Sequence, residues 1–204
     1  MNLRETRKVV LERANIHSQR NHSVAADDYR YVVAALSWMS NAGDRTLSSP
    51  TIGGIAATTL VQGSGSSSRG CAIVIAKVQT GTSGDVAMTL SGACLGATCT
   101  TYKVLGILSE SAASTATSSA NAPTATVNIA ANGGFIAIAQ ARAASAPTTN
   151  WTNATEDCDV SYVTFNERSS AHATNEDAVT SLDVTATFTA TLGSFGAFAT
   201  FEPS

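Results

Sequence analysis

The hydrophobic pattern of this chain repeats every two residues. Leu182, Val184, Ala186, Phe188 and Ala190 fall on one side, and Asp183, Thr185, Thr187 and Thr189 on the other. Residues 182–190 are therefore expected to form a half-buried antiparallel strand with one wet face. Val86, Met88 and Leu90 continue the pattern in 85–90. Other segments are apolar almost throughout. Residues 29–38 are rich in β-branched and aromatic residues, and 71–78 form a near-continuous apolar run of the kind a buried strand carries. Further strands are expected at 45–52, 55–62, 100–108, 124–130, 135–141, 159–165 and 195–201. Turn signals lie at Asn41 to Asp44, Gly53-Gly54, Gln79 to Gly84, Asn132 to Gly134, and Gly193. Residues 63–68 predict a flexible loop, and the Ser/Ala/Thr-rich stretch 109–122 a surface loop. Val9-Val10-Leu11 fits a strand or a short helix.

About a dozen short strands without an amphipathic helix predict two packed antiparallel sheets. The expected fold is all-β: a jelly-roll-like antiparallel sandwich. A length of 204 residues suits one such domain. With no exact repeat, Pro-rich linker or composition shift, the reading is an extended basic N-terminal arm over 1–27 and a single sandwich over 28–204.

Charged residues are 13% of the chain and aromatics 6%, and the net charge is −3. Nucleic-acid binders are usually basic, so none is expected as a partner. The positive charge is uneven, with Arg4, Arg7, Lys8, Arg13, Arg20 and Arg30 holding six of the twelve basic residues. That pattern describes a solvated arm, or one that docks on an acidic neighbouring subunit. Charges recur through residues 1–13 with no apolar core of the length a signal peptide carries, and no apolar run approaches the ~20 residues of a membrane helix. Cytoplasmic synthesis and no membrane partner are the expectation.

Five phrases, in order, carry a resemblance: Tyr31-Val32-Val33-Ala34-Ala35-Leu36; Thr46-Leu47-Ser48-Ser49-Pro50-Thr51-Ile52-Gly53-Gly54-Ile55-Ala56-Ala57-Thr58; Val78-Gln79-Thr80-Gly81-Thr82-Ser83-Gly84-Asp85-Val86; Tyr102-Lys103-Val104-Leu105-Gly106; and Phe201-Glu202-Pro203. Over most of 28–204 the chain resembles phage-encoded β-sandwich proteins of tail, neck or head appendages. The resemblance implies a non-enzymatic virion protein, made in the bacterial cytoplasm, that assembles with itself and with other virion proteins, the neck or collar being favoured. It implies no catalytic residue and no cofactor. The arm at 1–27 departs from the family pattern.

Candidate chemistry is sparse. His17, His22 and His172 are the only imidazole bases, all in polar segments, and no G-x-S-x-G elbow is present. Cys94-x4-Cys99 lacks a partner pair for zinc. Glu156, Asp157 and Asp159 read as a solvated turn before a strand, without a calcium-loop pattern. Asn21-His22-Ser23, Asn150-Trp151-Thr152 and Asn153-Ala154-Thr155 match a glycosylation pattern that has no meaning in bacterial cytoplasm. Trp151 either plugs an end of the sandwich or stacks on a sugar. With Tyr29, Tyr31 and Tyr162 it defines the alternative function, a carbohydrate-binding adhesion module with a glycan as partner.

Cys71, Cys94, Cys99 and Cys158 permit three disulfide pairings. A hairpin centred between 82 and 83 would set Cys71 opposite Cys94, at a separation close to bridging range. A Cys71–Cys94 bond is therefore expected. Cys99 and Cys158 are left to pair together, to cross-link subunits or to stay reduced.

Overall fold

The structure, a computed structural model, describes residues 10–14, 30–40, 42–65, 68–80, 84–107, 109–143, 147–161, 166–189 and 191–203. In chain order the strands are β1 (Val10–Ala14), β2 (Tyr31–Met39), β3 (Leu47–Ile52), β4 (Ile55–Ala56), β5 (Thr58–Gly65), β6 (Arg69–Lys77), β7 (Val86–Leu90) and β8 (Gly96–Leu105). They continue as β9 (Ser114–Ser118), β10 (Thr124–Ile129), β11 (Gly134–Ala143), β12 (Thr149–Thr152), β13 (Thr155–Ser161), β14 (Asn166–Thr174), β15 (Val179–Phe188) and β16 (Thr191–Phe201). All pairings are antiparallel, and the described residues contain no helix.

The expectation of two sheets gives way to four among the described residues. Two are five-stranded, in the orders β1-β8-β2-β6-β5 and β13-β14-β11-β16-β9. Two are three-stranded, β4-β3-β7 and β10-β15-β12. Three apolar cores separate them as layers. Val32, Leu36, Ala72 and Val74 pack under Leu47 and Ile52 of β3. Val33, Ala35, Ile73 and Tyr102 meet Ile136, Ile138, Ala197 and Phe201 between the five-stranded sheets. Phe135, Ala137 and Phe198 pack under Val127, Trp151, Val184 and Phe188. The five-stranded sheets are thus inner layers covered on both faces.

This layering explains the two kinds of sequence pattern. All nine residues of β2 are buried, because even positions face one core and odd positions the next. Each fully buried Val, Leu or Ile contributes about 1.5–3 kcal/mol, so such a strand cannot tolerate alternation. The outer strands β10 and β15 alternate, with one face in water.

The two halves of the chain repeat one strand arrangement, apart from β4 and β10, which have no counterparts. In the inner sheets β1, β2, β5, β6 and β8 correspond to β9, β11, β13, β14 and β16 with identical strand order, and the outer pair β3·β7 corresponds to β12·β15. The β5–β6 ladder recurs in β13–β14 at a constant shift of 97 positions (58 to 155, 75 to 172, 64 to 161, 70 to 167). Both ladders carry a bulge at the same place, on Leu60 in one and on Asp157 in the other. The halves meet through corresponding faces of their inner sheets, as the partners of a twofold dimer do.

Several local expectations are corrected. Residues 71–78 and 85–90 do not form a hairpin: β6 lies between β2 and β5, while β7 crosses to the outer sheet beside β3. Cys71 therefore stands opposite Ser37 and Gly63, not Cys94. All four cysteines are free. The stretch 109–122 contains β9, a Ser/Thr strand lying along β16. Within the arm 1–27, residues 10–14 pair with the edge of β8. Arg30 is fully buried rather than solvated. Its Nε donates to Val78 O and its terminal NH2 to Thr80 O at 2.9 Å, which clips the crossover leaving β6.

Candidate functional site at the junction of the halves

The bulge in β13 positions the main polar constellation. Glu156 pairs with Ala171 and Cys158 with Ser170, which leaves Asp157 as the extra residue. A bulge re-aims a side chain, and Asp157 points between the two inner sheets. Its Oδ2 accepts from Tyr102 OH at 2.9 Å. His172 Nδ1 lies 2.9 and 2.8 Å from the two carboxylate oxygens. A carboxylate only accepts, so this geometry assigns the Nδ1–H tautomer when the ring is neutral. Tyr102 and His172 rings are also in contact, with centroids 6.1 Å apart.

Around this triad the C-terminal half supplies donors to the N-terminal one. Ser170 Oγ donates to Thr100 Oγ1 at 3.0 Å, and Arg168 NH2 donates to the same oxygen. Arg168 is buried, and its Nε has no hydrogen-bond partner among the described residues. Gln140 Nε2 donates to Gly70 O at 2.6 Å and Trp38 O at 3.1 Å. Burial first, then the Asp157 charge, pushes the Tyr102 phenol well above its ordinary range, so it remains a donor.

A second acidic group lies on the opposite face of β14. Glu167 is pushed up to about 8, first by burial and then by its hydrogen bond with Asp159. Ser161 Oγ donates to Glu167, and Thr149 donates to Asp159 through N at 3.2 Å and Oγ1 at 3.0 Å. Glu156 is raised by burial and by Asp159. Among the described residues no three His, Cys, Asp or Glu side chains gather as a metal site would.

The sequence-derived candidates fall as follows. Glu156, Asp157 and Asp159 sit in strand β13, not in a solvated turn. His172 is not exposed: its side chain retains 22% of its accessible surface and pairs with Asp157. Trp151 is 7% exposed. Its Nε1 donates to Ser169 Oγ at 2.7 Å and its ring meets Phe198 edge-on, so it offers no face for a sugar. Tyr31 is buried too. Arg4, Arg7, Lys8, Arg20, His17, His22, Tyr29 and Tyr162 lie outside the described residues, and Arg13 is placed only by its backbone in β1. Cys94 is exposed, Cys99 and Cys158 are half-buried, and Cys71 is buried with Sγ 3.8 Å from Phe195 O.

Sequence reasoning noticed Asp157 and His172 separately but not their pairing with Tyr102. The available signal was a histidine between two alanines in a strand, Ala171-His172-Ala173, where an inward polar residue requires a partner. No family model, curated protein or solved structure matches this chain.

Proposed function

We propose that this chain is a non-enzymatic structural component of a tailed-phage virion, made in the bacterial cytoplasm, that assembles with itself and neighbouring virion proteins, the neck or collar being the favoured position. Within that role each half acts as one jelly-roll-like sandwich unit, and the basic residues Arg4, Arg7, Lys8, Arg13 and Arg20 contact an acidic neighbour. The observation that carries this reading is where the polar groups are used. Three groups able to do acid–base chemistry, Tyr102, Asp157 and His172, are turned inward and join the halves. The outer faces present hydroxyls, such as Thr124, Thr126 and Thr187, with few charges. Among the described residues, the outer strands β4, β7, β10 and β12 each have one edge unpaired. Such edges can hydrogen-bond to a neighbouring copy.

The test is the mass in solution, by light scattering, of the full chain and of a variant with those five basic residues changed to Gln, which keeps the β1 backbone. Immunogold microscopy of phage particles from a host lysate accompanies it. A discrete oligomer that dissociates on charge removal, with label on particles, supports the proposal. A monomer at every concentration, with no label on particles, overturns it.

A further inference from the structure

The duplication allows each polar contact at the junction to be compared with its counterpart. At the shifts of the paired ladders, Asp157 corresponds to Leu60, His172 to Ile75, Tyr102 to Ala199 and Thr100 to Ala197. Ile75, Ala197 and Ala199 belong to one apolar core, and Leu60 packs against it. The junction therefore has two seams related by the approximate twofold. One is dry and the other is built from Tyr102, Asp157 and His172. On the dry side the chains approach closely: a Cβ on Gly63 would lie 2.7 Å from Phe195 Cζ. The fold can thus close this position with hydrocarbon, so the polar set answers some other requirement.

We infer that the polar seam is a pairing code, by which an N-terminal half recognises a C-terminal half, its own or that of a second copy, and rejects a half of its own kind. The N-terminal half contributes Tyr102 and Thr100, and the C-terminal half Asp157, His172, Arg168 and Ser170. In a mixed pair every contact is made once. Two N-terminal halves would set the buried Tyr102 hydroxyl against Leu60 and Ile75, twice. Two C-terminal halves would set Asp157, His172 and Arg168 against Ala197 and Ala199, twice, with the Tyr102 and Thr100 partners missing. Buried polar groups without partners act against wrong pairings more strongly than they favour the right one. Two units of one architecture joined by the short segment 106–113 need such a device, because their apolar faces alone would pair in any combination. The inference holds whether or not the chain belongs to a virion.

The test uses the full chain, folded and then cut at a protease site placed within 109–113. The cut protein is unfolded, refolded and weighed by native mass spectrometry. The wild type is expected to return only one-to-one mixed pairs. With the whole set removed, as T100A/Y102F/D157L/R168M/S170A/H172I, homotypic pairs are expected, at least about tenfold enriched over wild type. Homotypic pairs in the wild type, or mixed pairs alone in this variant, would overturn the code. Should the cut halves precipitate on refolding, light and isotopically heavy cut proteins are mixed without denaturant. Exchange into light–heavy mixed pairs alone then supports the code, and homotypic exchange products overturn it.

Discussion

Replacing Asp157 with alanine removes the one acceptor shared by two donors. Tyr102 OH lies 2.9 Å away and is fully buried, so no water replaces the lost bond. A buried hydroxyl left unsatisfied costs about 1–3 kcal/mol. His172 loses a charge-assisted partner at 2.8 Å, but its partial exposure lets solvent recover some of that loss. Breaking a fully buried pair costs about 3–5 kcal/mol, so a destabilisation of about 2–4 kcal/mol is expected here. With a urea slope of about 2 kcal/mol per molar, the unfolding midpoint should fall by about 1–2 M. Changing the triad together, as Y102F/D157L/H172I, leaves none of its three members stranded and should restore the midpoint to within about 1 M of wild type. Equilibrium urea unfolding followed by tryptophan fluorescence reads both. An Asp157→Ala midpoint equal to wild type would mean that the triad bears no strain of the junction, and the reasoning would fail.

The remaining expectations are independent of the triad. A Cβ on Gly70 would lie 2.3 Å from the buried Trp38 ring, so Gly70→Ala should destabilise by about 1–3 kcal/mol or more, and Trp38→Leu in the same chain should relieve part of that loss in urea unfolding. Glu167 holds its proton more tightly folded than unfolded, since its folded value is raised to about 8. Its contribution is therefore complete in acid below the ordinary carboxylate range and is lost as pH rises through about 8. Urea midpoints measured across that span should decline in the wild type and flatten in Glu167→Gln. Cys94 should react with a thiol reagent at once in the native protein. Cys71 is buried with its thiol pushed up by that burial and should react only on unfolding, and gels should show no mobility difference with reductant.

The all-β class and most strand positions were legible because burial leaves a periodic trace. A strand with one wet face alternates, as in residues 182–188, and strands buried on both sides such as β2 and β6 are mostly apolar, although β14, buried as deeply over 166–171, carries Asn166, Glu167, Arg168, Ser169 and Ser170. What those continuous runs required, a second covering sheet on each inner layer, follows from the same physics but concerns partners distant in sequence. The fate of 79–84 shows the limit. A turn-rich stretch between two strands reads as a hairpin, yet the chain crosses between sheets there, because β6 already has β2 and β5 on its two edges. The duplication left no sequence repeat for a related reason. Corresponding positions on the dry faces need only hydrocarbon facing the same core, so Leu36 can match Ala139 and Val33 can match Ile136. The Tyr102–Asp157–His172 triad belonged wholly to tertiary structure. It joins residues 55 and 15 positions apart through a one-residue bulge that the alternation of the strand does not announce. Local pattern thus determined the all-β class, most strand positions and the wet face of strands such as β15, but not β9, β12 or β14. Only the packing of the halves decided which polar side chains meet, because a buried hydrogen bond depends on register and layer spacing that no single strand encodes.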